Sequence, residues 1–203
     1  MEERARNVLI GLALLAVAFV IAYFFIFARP QPKPVQIDVE GRHWQGAGNA
    51  SAILIEFSDF QCPYCGLAAA NAKEVAAEFN SSVKFYYLHF PLPFHQYAQK
   101  AAEAAECAGD QGKFWEMHDL MFANQDSLDI ESLRLHASSL GLNMTRFNSC
   151  LDSGEKAAIV KADFDKGRAA GVGGTPTFFL NGRQLGSYDA EALRAAIRAE
   201  LGK

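Results

Sequence analysis

Two cysteines at the start of a predicted helix constrain the fold of this chain more than any other feature. The run Ala52–Phe57 is apolar except for Glu56. It is too short for a buried helix, so it predicts a central strand that is covered on both faces. After a turn, Pro63 suits the first position of a helix because it has no N–H group to leave unpaired. Cys62 is therefore predicted to cap that helix, and Cys65 to lie one turn inside it.

This spacing favours reversible thiol chemistry. Two cysteines that are three residues apart on one helix face can join their sulfurs in a small ring. The free N–H groups and the positive dipole end of the helix stabilise a thiolate at Cys62. We therefore predict Cys62 as the nucleophile and Cys65 as the resolving thiol.

The same spacing also fits half of a zinc site. A tetrahedral site requires a second pair of cysteines or histidines at comparable spacing. Cys107 and Cys150 are isolated from each other, and the five histidines are scattered. The sequence therefore predicts neither a metal nor another cofactor.

The N-terminal part of the chain predicts a membrane anchor. Val8–Ala28 contains 21 residues without a charge, and a helix of about 31 Å is long enough to cross the hydrocarbon layer. A cleaved signal peptide is the alternative, but Arg29 and Pro30 follow without a small-x-small cleavage site. We expect residues 1–28 to form a single-pass anchor in the cell membrane. A slight excess of basic groups before the segment places the N-terminus in the cytoplasm and the rest of the chain outside it.

Composition limits the partners and the compartment. The formal net charge of -4 and the sequence pI near 5.7 argue against nucleic acid as a partner. Four cysteines, an even number, agree with an oxidising compartment for the domain beyond the anchor. Residues 29–50 are rich in Pro and Gly and are predicted to form a linker, with Val35–Val39 as a candidate edge strand.

The remaining pattern predicts an α/β domain over residues 51–203. Val83–Leu88 is rich in β-formers, and the order strand, helix, strand implies parallel pairing through a right-handed crossover. Residues of about 94–171 have helical periodicity almost throughout, which predicts a helical insertion.

A hairpin and a last helix complete the predicted sheet. Asn181-Gly182 is a type I′ turn signal between two short strands, Thr177–Leu180 and Arg183–Leu185. A closing helix follows from near Asp189. Together these elements predict a mixed four-stranded sheet with helices on both faces.

Two separate motifs make the chain resemble a known family. The first is Glu56, six residues before Cys62, together with Cys62-Pro63-Tyr64-Cys65. The second is Gly173-Gly174-Thr175-Pro176-Thr177-Phe178, just before the hairpin. With the helical insertion between them, they resemble the DsbA-like branch of the thioredoxin superfamily from about Ser51 to Leu201. The resemblance implies a thioredoxin fold and a cis Thr175–Pro176 bond beside the active cysteines.

The resemblance also implies which residues contact substrate. Pro63 and Tyr64 lie between the two cysteines, and Thr175 and Pro176 come from the second motif. Pro176 opens a strand without an N–H to donate, so the residues permit a cis bond, although sequence alone favours trans. In the cis form the Thr175 backbone can meet an extended substrate next to Cys62. The central Pro-Tyr pair departs from the Pro-His of the prototype oxidant, which leaves the strength of oxidation open.

Two further roles follow from the same resemblance. Glu56 is expected to be the buried acid under the site that accepts the proton of Cys65, and a hydrogen-bonded structural carboxyl is the alternative. Cys107 and Cys150 are expected to form a structural disulfide between two helices of the insertion. Two unpaired buried thiols are the alternative for that pair.

The resemblance implies a thiol-disulfide oxidoreductase that introduces disulfides into exported proteins with free thiols. Its reoxidation implies a membrane partner resembling DsbB or the vitamin K epoxide reductase family. A reductase or isomerase on the same fold is one alternative, and a non-catalytic binding or chaperone module with two structural disulfides is another. A thiolate stabilised at Cys62 predicts an oxidising couple, of about -180 to -100 mV.

Overall fold

The described part of the chain falls into two units. The computed structural model describes Arg4, Ile10, Gly11, residues 14–20, Tyr23 and residues 33–202. By its internal contacts the chain divides into Met1–Lys33 and Pro34–Lys203. Residues 14–20 are helical. Among the described residues, no helix is both long and apolar enough to cross a bilayer. About half of the predicted span Val8–Ala28 lies outside the described residues.

A five-stranded mixed sheet forms the centre of the second unit. Its strands, in chain order, are β1 (Trp44–Gly46), β2 (Ala52–Ser58), β3 (Val83–His89), β4 (Thr177–Leu180) and β5 (Arg183–Gln184). Across the sheet the order is β1-β3-β2-β4-β5. β2 and β3 pair in parallel, and the other neighbouring strands pair antiparallel. The predicted mixed sheet, with β2 at its centre, is confirmed.

The edge of the sheet differs from the prediction of four strands with a candidate edge strand at Val35–Val39. The fifth strand is β1, which lies later in the segment predicted to be a linker. Val35 donates its N–H to the Gly182 carbonyl oxygen at 2.8 Å, and Ile37 and Val39 pack against an apolar cluster on one face of the sheet. The apolar side chains of this segment therefore cover the sheet instead of extending it.

Seven helices are present within residues 33–202. They are α1 (Pro63–Glu78), α2 (Ala98–Gly109), α3 (Phe114–Ala123), α4 (Ile130–Ser139), α5 (Met144–Ser153), α6 (Ala157–Ala169) and α7 (Ala190–Leu201). Helices α2 to α6 occupy the region predicted to be a helical insertion. The other two helices pack against the sheet. In the chain, α1 lies between β2 and β3, and α7 follows β5.

Both faces of the sheet are covered because side chains alternate along β2. Leu54 faces a cluster that includes Val75 of α1 and Leu193 of α7. Phe57 points to the opposite face, where Phe164 of α6 packs. A third apolar cluster lies mainly between helices α2 to α5. The predicted placement of helices on both faces is confirmed.

The hairpin between β4 and β5 turns at the predicted Asn181-Gly182 pair. Both residues have positive φ, 46° at Asn181 and 77° at Gly182. A type I′ turn needs positive φ at both central positions, which Asn and Gly adopt with little strain. The predicted hairpin is therefore confirmed.

A disulfide joins two helices of the insertion. Cys107 of α2 and Cys150 of α5 are bonded, with their Cα atoms 5.9 Å apart. Both residues are buried in the apolar cluster of the insertion. The bond therefore closes a loop through a region whose helices also pack on one another.

Removing this bond is expected to destabilise the domain. For a sequence separation of 43 residues, the chain-entropy model gives a loss of about 4 kcal/mol in the free energy of unfolding. Urea unfolding of the Cys107→Ala/Cys150→Ala variant measures it against the parent chain, with Cys62 and Cys65 held in the same redox state in both. A difference below about 1 kcal/mol would contradict the prediction.

Candidate active site

Cys62 lies at the N-terminus of α1. It is the N-cap residue, with extended backbone angles of φ -76° and ψ 121°, and Pro63 is the first residue of the helix. The N–H groups of Cys65 and Gly66 donate to the Cys62 carbonyl oxygen at 3.0 and 3.2 Å. Cys62 therefore lies at the positive end of a 16-residue helix.

The loop before β4 brings Thr175 next to Cys62. In its thiol form, Cys62 Sγ donates to the Thr175 carbonyl oxygen at 3.5 Å, and the Thr175–Pro176 peptide bond is cis. Thr177 Oγ1 donates to the Gly174 carbonyl oxygen at 2.7 Å, within the same loop. The two motifs that the sequence singled out therefore meet at one site.

The two thiols are free, and their environments drive their pKa values apart. A hydrogen bond from Cys65, helped by backbone N–H groups of the helix start and by Thr175, lowers the pKa of Cys62 from 9.0 to about 6. Burial raises the pKa of Cys65, and its hydrogen bond to Cys62 and the nearby charge of Glu56 raise it further. At neutral pH Cys62 is therefore a thiolate while Cys65 keeps its proton.

Glu56 is buried beneath the two cysteines. On β2 it pairs with Tyr87 of β3 on one side and Phe178 of β4 on the other. Its exposed fraction is 0%, and neither carboxyl oxygen has a hydrogen-bond partner among the described residues. Burial raises its pKa from 4.5 to about 8. The neighbouring Ser58 side chain opposes this shift.

The residues predicted to contact substrate surround Cys62. Pro63 and Tyr64 are exposed on the first turn of α1, and Thr175 and Pro176 are half-buried across from them. Tyr64 is 61% exposed, and so is Leu67, one turn further along the helix. The rim of the site is therefore apolar on the helix side and offers backbone on the loop side.

Asp59 is a site residue that the sequence reasoning missed. One carboxylate oxygen accepts from the Gln61 N–H at 2.7 Å, and the other accepts from the Leu92 N–H at 2.8 Å and contacts His95 Nδ1 at 2.7 Å. Asp59 therefore fixes the turn before Cys62 to the loop after β3. The only sequence signal for it is an acid directly after the buried strand.

Gln125 is a second residue that the sequence reasoning missed. Its Nε2 donates to the carbonyl oxygens of Phe60 and Cys62, each at 2.8 Å. These contacts tie the insertion to the start of α1. No local pattern predicts them, because Gln125 is 63 residues from Cys62 in the chain.

Among the described residues, Asp110, Cys150 and Glu155 form a group with suitable spacing for a metal ion. Cys150 is in the disulfide, so its sulfur is not free to bind an ion.

The parallel strand pair, the Cys-x-x-Cys helix start and the cis-proline loop define a dithiol protein of the thioredoxin class. Residues 38–199 match the thioredoxin family, and the chain belongs to that family. Two solved structures have the same fold. Oxidised BdbD from Bacillus subtilis has a TM-score of 0.75 at 23% identity, over 85% of this chain and 100% of that chain. The α-DsbA1 protein of Wolbachia pipientis has a TM-score of 0.72 at 20% identity, over 82% of this chain and 94% of that chain.

These findings confirm the predicted DsbA-like thioredoxin fold.

A curated relative, the protein named Na(+)/H(+) antiporter NhaA 1 of Salinispora arenicola, is 44% identical to this chain over 165 residues. The match covers 80% of this chain and 25% of that protein. The chain therefore spans about a quarter of the length of this relative.

Proposed function

We propose that the chain is a membrane-tethered thiol-disulfide oxidoreductase whose oxidised Cys62–Cys65 pair accepts electrons from thiols of exported proteins. The observation that carries the proposal is the contrast between the two sulfurs, since the pKa of Cys62 is lowered and that of Cys65 is raised. A sulfur that is ionised at neutral pH is a nucleophile and a good leaving group. Membership of the thioredoxin family supports the same chemistry.

The proposed reaction starts from the Cys62–Cys65 disulfide. A substrate thiolate attacks Cys62 Sγ and forms a mixed disulfide, and Cys65 leaves as a thiolate that takes a proton from Glu56. A second substrate thiolate then attacks the substrate sulfur of the mixed disulfide, and Cys62 leaves as a stable thiolate. Two electrons pass from the substrate to the pair, and the substrate gains one disulfide.

The rim of the site suits an extended segment of an unfolded substrate. Tyr64 and Leu67 offer exposed apolar surface on one side of Cys62. On the other side the cis Thr175–Pro176 bond presents backbone at the sulfur. Backbone contacts are independent of sequence, which suits an enzyme that acts on many exported proteins.

The cellular setting belongs to the proposal as well. Residues 1–28 act as the anchor, and a short spacer after them leads to the folded unit Pro34–Lys203, which lies outside the cytoplasm. Each round leaves two electrons on Cys62 and Cys65. A membrane partner resembling DsbB or vitamin K epoxide reductase therefore has to remove them.

The redox potential of the Cys62–Cys65 couple tests the direction of the reaction. A thiolate pKa near 7 accompanies about -270 mV in thioredoxin, and one near 3.5 accompanies about -120 mV in DsbA. Interpolation for a pKa of about 6 gives about -230 mV, below the range expected from the sequence. Structural disulfides of secreted proteins lie below about -300 mV, so their formation remains favourable by about 3 kcal/mol.

Equilibration with glutathione buffers, followed by trapping of free thiols, measures this potential. The Cys107→Ala/Cys150→Ala variant serves as the control, because it contains only the proposed catalytic pair. A potential at or below about -300 mV, the level of structural disulfides in secreted proteins, would reverse the proposed direction and favour a reductase. Failure of the pair to equilibrate with glutathione at all would favour a non-catalytic module.

A further inference from the structure

Four polar residues form a compact block on the face of the sheet beneath Cys65. On β2, Glu56 and Ser58 point to the same face, and on β3 they pair with Tyr87 and His89 respectively. Each of the four is at most 1% exposed. Each also has a polar side-chain atom without a hydrogen-bond partner among the described residues: the Glu56 carboxyl oxygens, Ser58 Oγ, Tyr87 OH and His89 Nδ1.

Such a concentration of unpartnered atoms in one place is unusual. Buried polar groups are normally hydrogen-bonded to protein or to internal water, and an unpaired one costs about 1–3 kcal/mol. A shared internal water satisfies several of them at once. The block is therefore suited to hold internal water on this face of the sheet.

One end of the block reaches the active site. The N–H of Asp59, the residue after Ser58, donates to Cys65 Sγ at 3.5 Å. The Glu56 carboxyl is close enough to Cys65 for its charge to raise the pKa of that thiol, although burial is the larger cause. A proton that leaves Cys65 therefore has acceptors in the block.

The other end reaches solvent through Glu106 of α2. His89 Nε2 lies 2.9 Å from Glu106 Oε1, and His43 Nε2 lies 3.2 Å from Glu106 Oε2. The side chain of His89 is 1% exposed, whereas that of His43 is 28% exposed. Burial favours a raised pKa at Glu106, but the hydrogen bonds to His43 and His89 outweigh it and hold the pKa well below its usual range. A carboxylate thus links a buried imidazole to one at the surface.

We propose that Ser58, Tyr87, His89, Glu106 and His43 form a proton route that connects Glu56 and Cys65 to solvent. The inference rests on the proposed function, because it concerns the proton of the same dithiol. When Cys65 resolves a mixed disulfide, its S–H proton passes to the Glu56 carboxylate. The Cys65 thiolate then attacks Cys62 Sγ, the Cys62–Cys65 bond forms, and the partner thiolate leaves. The proton on Glu56 leaves along the route and exits at His43.

The state of Glu56 explains why a route is needed. With a pKa of about 8, a buried Glu56 carries its own proton in most molecules at pH 7. It must release that proton before it can take one from Cys65. Because its side chain has no exposed surface, the release needs internal groups that carry the proton outward.

Other charged groups also face the route. They are Asp59 in the turn after β2, His118 and Asp119 of α3, Asp163 of α6, and Arg42 before β1. Burial lowers the pKa of His118, so that its ring next to Tyr87 stays neutral near pH 7. Asp163 accepts from the His89 N–H at 3.4 Å and is paired with Arg42. These contacts hold His89 in place, and its Nδ1 has no hydrogen-bond partner among the described residues.

The reactions of the two thiols can be measured as two phases of one experiment. When the reduced full-length chain reacts with the aromatic disulfide DTNB, Cys62 attacks first and releases one thionitrobenzoate at a rate that depends on the DTNB concentration. Cys65 then attacks Cys62 and releases the second thionitrobenzoate at a rate that does not depend on the DTNB concentration. Stopped-flow absorbance follows both phases across the pH range.

The Tyr87→Phe variant removes one hydroxyl from the route. We expect it to slow the DTNB-independent phase about tenfold below pH 8 and to leave the DTNB-dependent phase unchanged. The deficit should shrink above pH 8, where Glu56 is already ionised. Tyr86→Phe is the matched control, because Tyr86 is the neighbouring residue on the opposite face of β3. It should leave both phases as in the parent chain.

The surface end is tested by chemical rescue. His43 lines a surface cavity of about 270 Å³, so His43→Ala leaves room for a small base. We expect His43→Ala to slow the DTNB-independent phase about tenfold and added imidazole to restore it. A merely structural effect would not respond to imidazole.

The outcomes distinguish this route from the proposed function. An unchanged second phase in both Tyr87→Phe and His43→Ala, or a slow His43→Ala phase that imidazole does not restore, would overturn the route. If Tyr87→Phe unfolds, its first phase changes too, and the His43→Ala result decides. A parent chain with no DTNB-independent phase would instead overturn the proposed function.

Discussion

Replacing Cys62 with serine is expected to reduce thiol-disulfide exchange by on the order of 1,000-fold or more. The thiolate is the attacking group, and serine at this position cannot form a disulfide with substrate. Replacing Cys65 with serine has a different result. Cys62 still attacks, since the serine hydroxyl can donate in place of the Cys65 thiol and the backbone contacts at the helix start remain. The mixed disulfide, however, is not resolved from within the chain.

Mass spectrometry of non-reduced samples distinguishes the two variants. After incubation with a disulfide-containing peptide, Cys65→Ser should accumulate a covalent complex through Cys62, whereas Cys62→Ser should accumulate none.

The rate of Cys62 alkylation against pH tests the thiolate in the parent chain. Its midpoint should lie near 6, the pKa set by the hydrogen bonds of Cys62. The Cys107→Ala/Cys150→Ala variant is the control that keeps exchange.

Two results would contradict the assigned roles. A covalent complex in Cys62→Ser but not in Cys65→Ser would mean that Cys65 is the nucleophile and Cys62 the resolving thiol. An alkylation midpoint near that of free cysteine would remove the contrast between the two sulfurs, on which the proposed function rests.

Features with local causes were predictable from the sequence. The missing N–H of Pro63 favours the first helical position, so the local sequence alone predicts that Cys62 lies at the helix start. The turn at Asn181-Gly182 follows in the same way from the two residues that tolerate positive φ. Glu56 was predictable as an unusual residue because it is the one charged residue in the apolar run Ala52–Phe57.

Features with distant causes were not predictable. Val35–Val39 has the composition of a strand, but it packs on one face of the sheet, where Val35 bonds to Gly182 of the distant hairpin. Gln125 reaches the Cys62 carbonyl only after the insertion has folded over the site. The block around Glu56 depends on the register of β2 against β3, which places Tyr87 beside it. A single sequence contains the alternation of each strand but not their register.

Replacing Glu56 with glutamine is expected to stabilise the domain, by an amount that grows with pH. Burial raises the pKa of Glu56 from 4.5 in the unfolded chain to about 8 in the folded domain. Below pH 4.5 the carboxyl is protonated in both states and costs nothing extra. Between 4.5 and 8 the unfolded chain releases the proton while the folded domain keeps it, so the stability of the parent chain falls by about 1.4 kcal/mol per pH unit.

The total over this window is about 5 kcal/mol, and about 3 kcal/mol of it has been lost at pH 7. Above pH 8 the carboxyl ionises in both states, so the difference between the parent chain and Glu56→Gln levels off. Urea unfolding at a series of pH values measures the difference. Both chains should carry the Cys62–Cys65 disulfide, because a thiolate at Cys62 would otherwise add its own pH dependence.

The control is Glu191→Gln, which removes a carboxyl whose side chain is 84% exposed and should give a stability curve nearly parallel to that of the parent chain. If the free energy of unfolding of Glu56→Gln also runs parallel to that of the parent chain from pH 4 to 8, Glu56 ionises in the folded domain as easily as in the unfolded chain. It would then be a carboxylate at neutral pH before any reaction. In that case Glu56 has no proton to give to a departing Cys65 thiolate, and the step that releases Cys65 would need another donor.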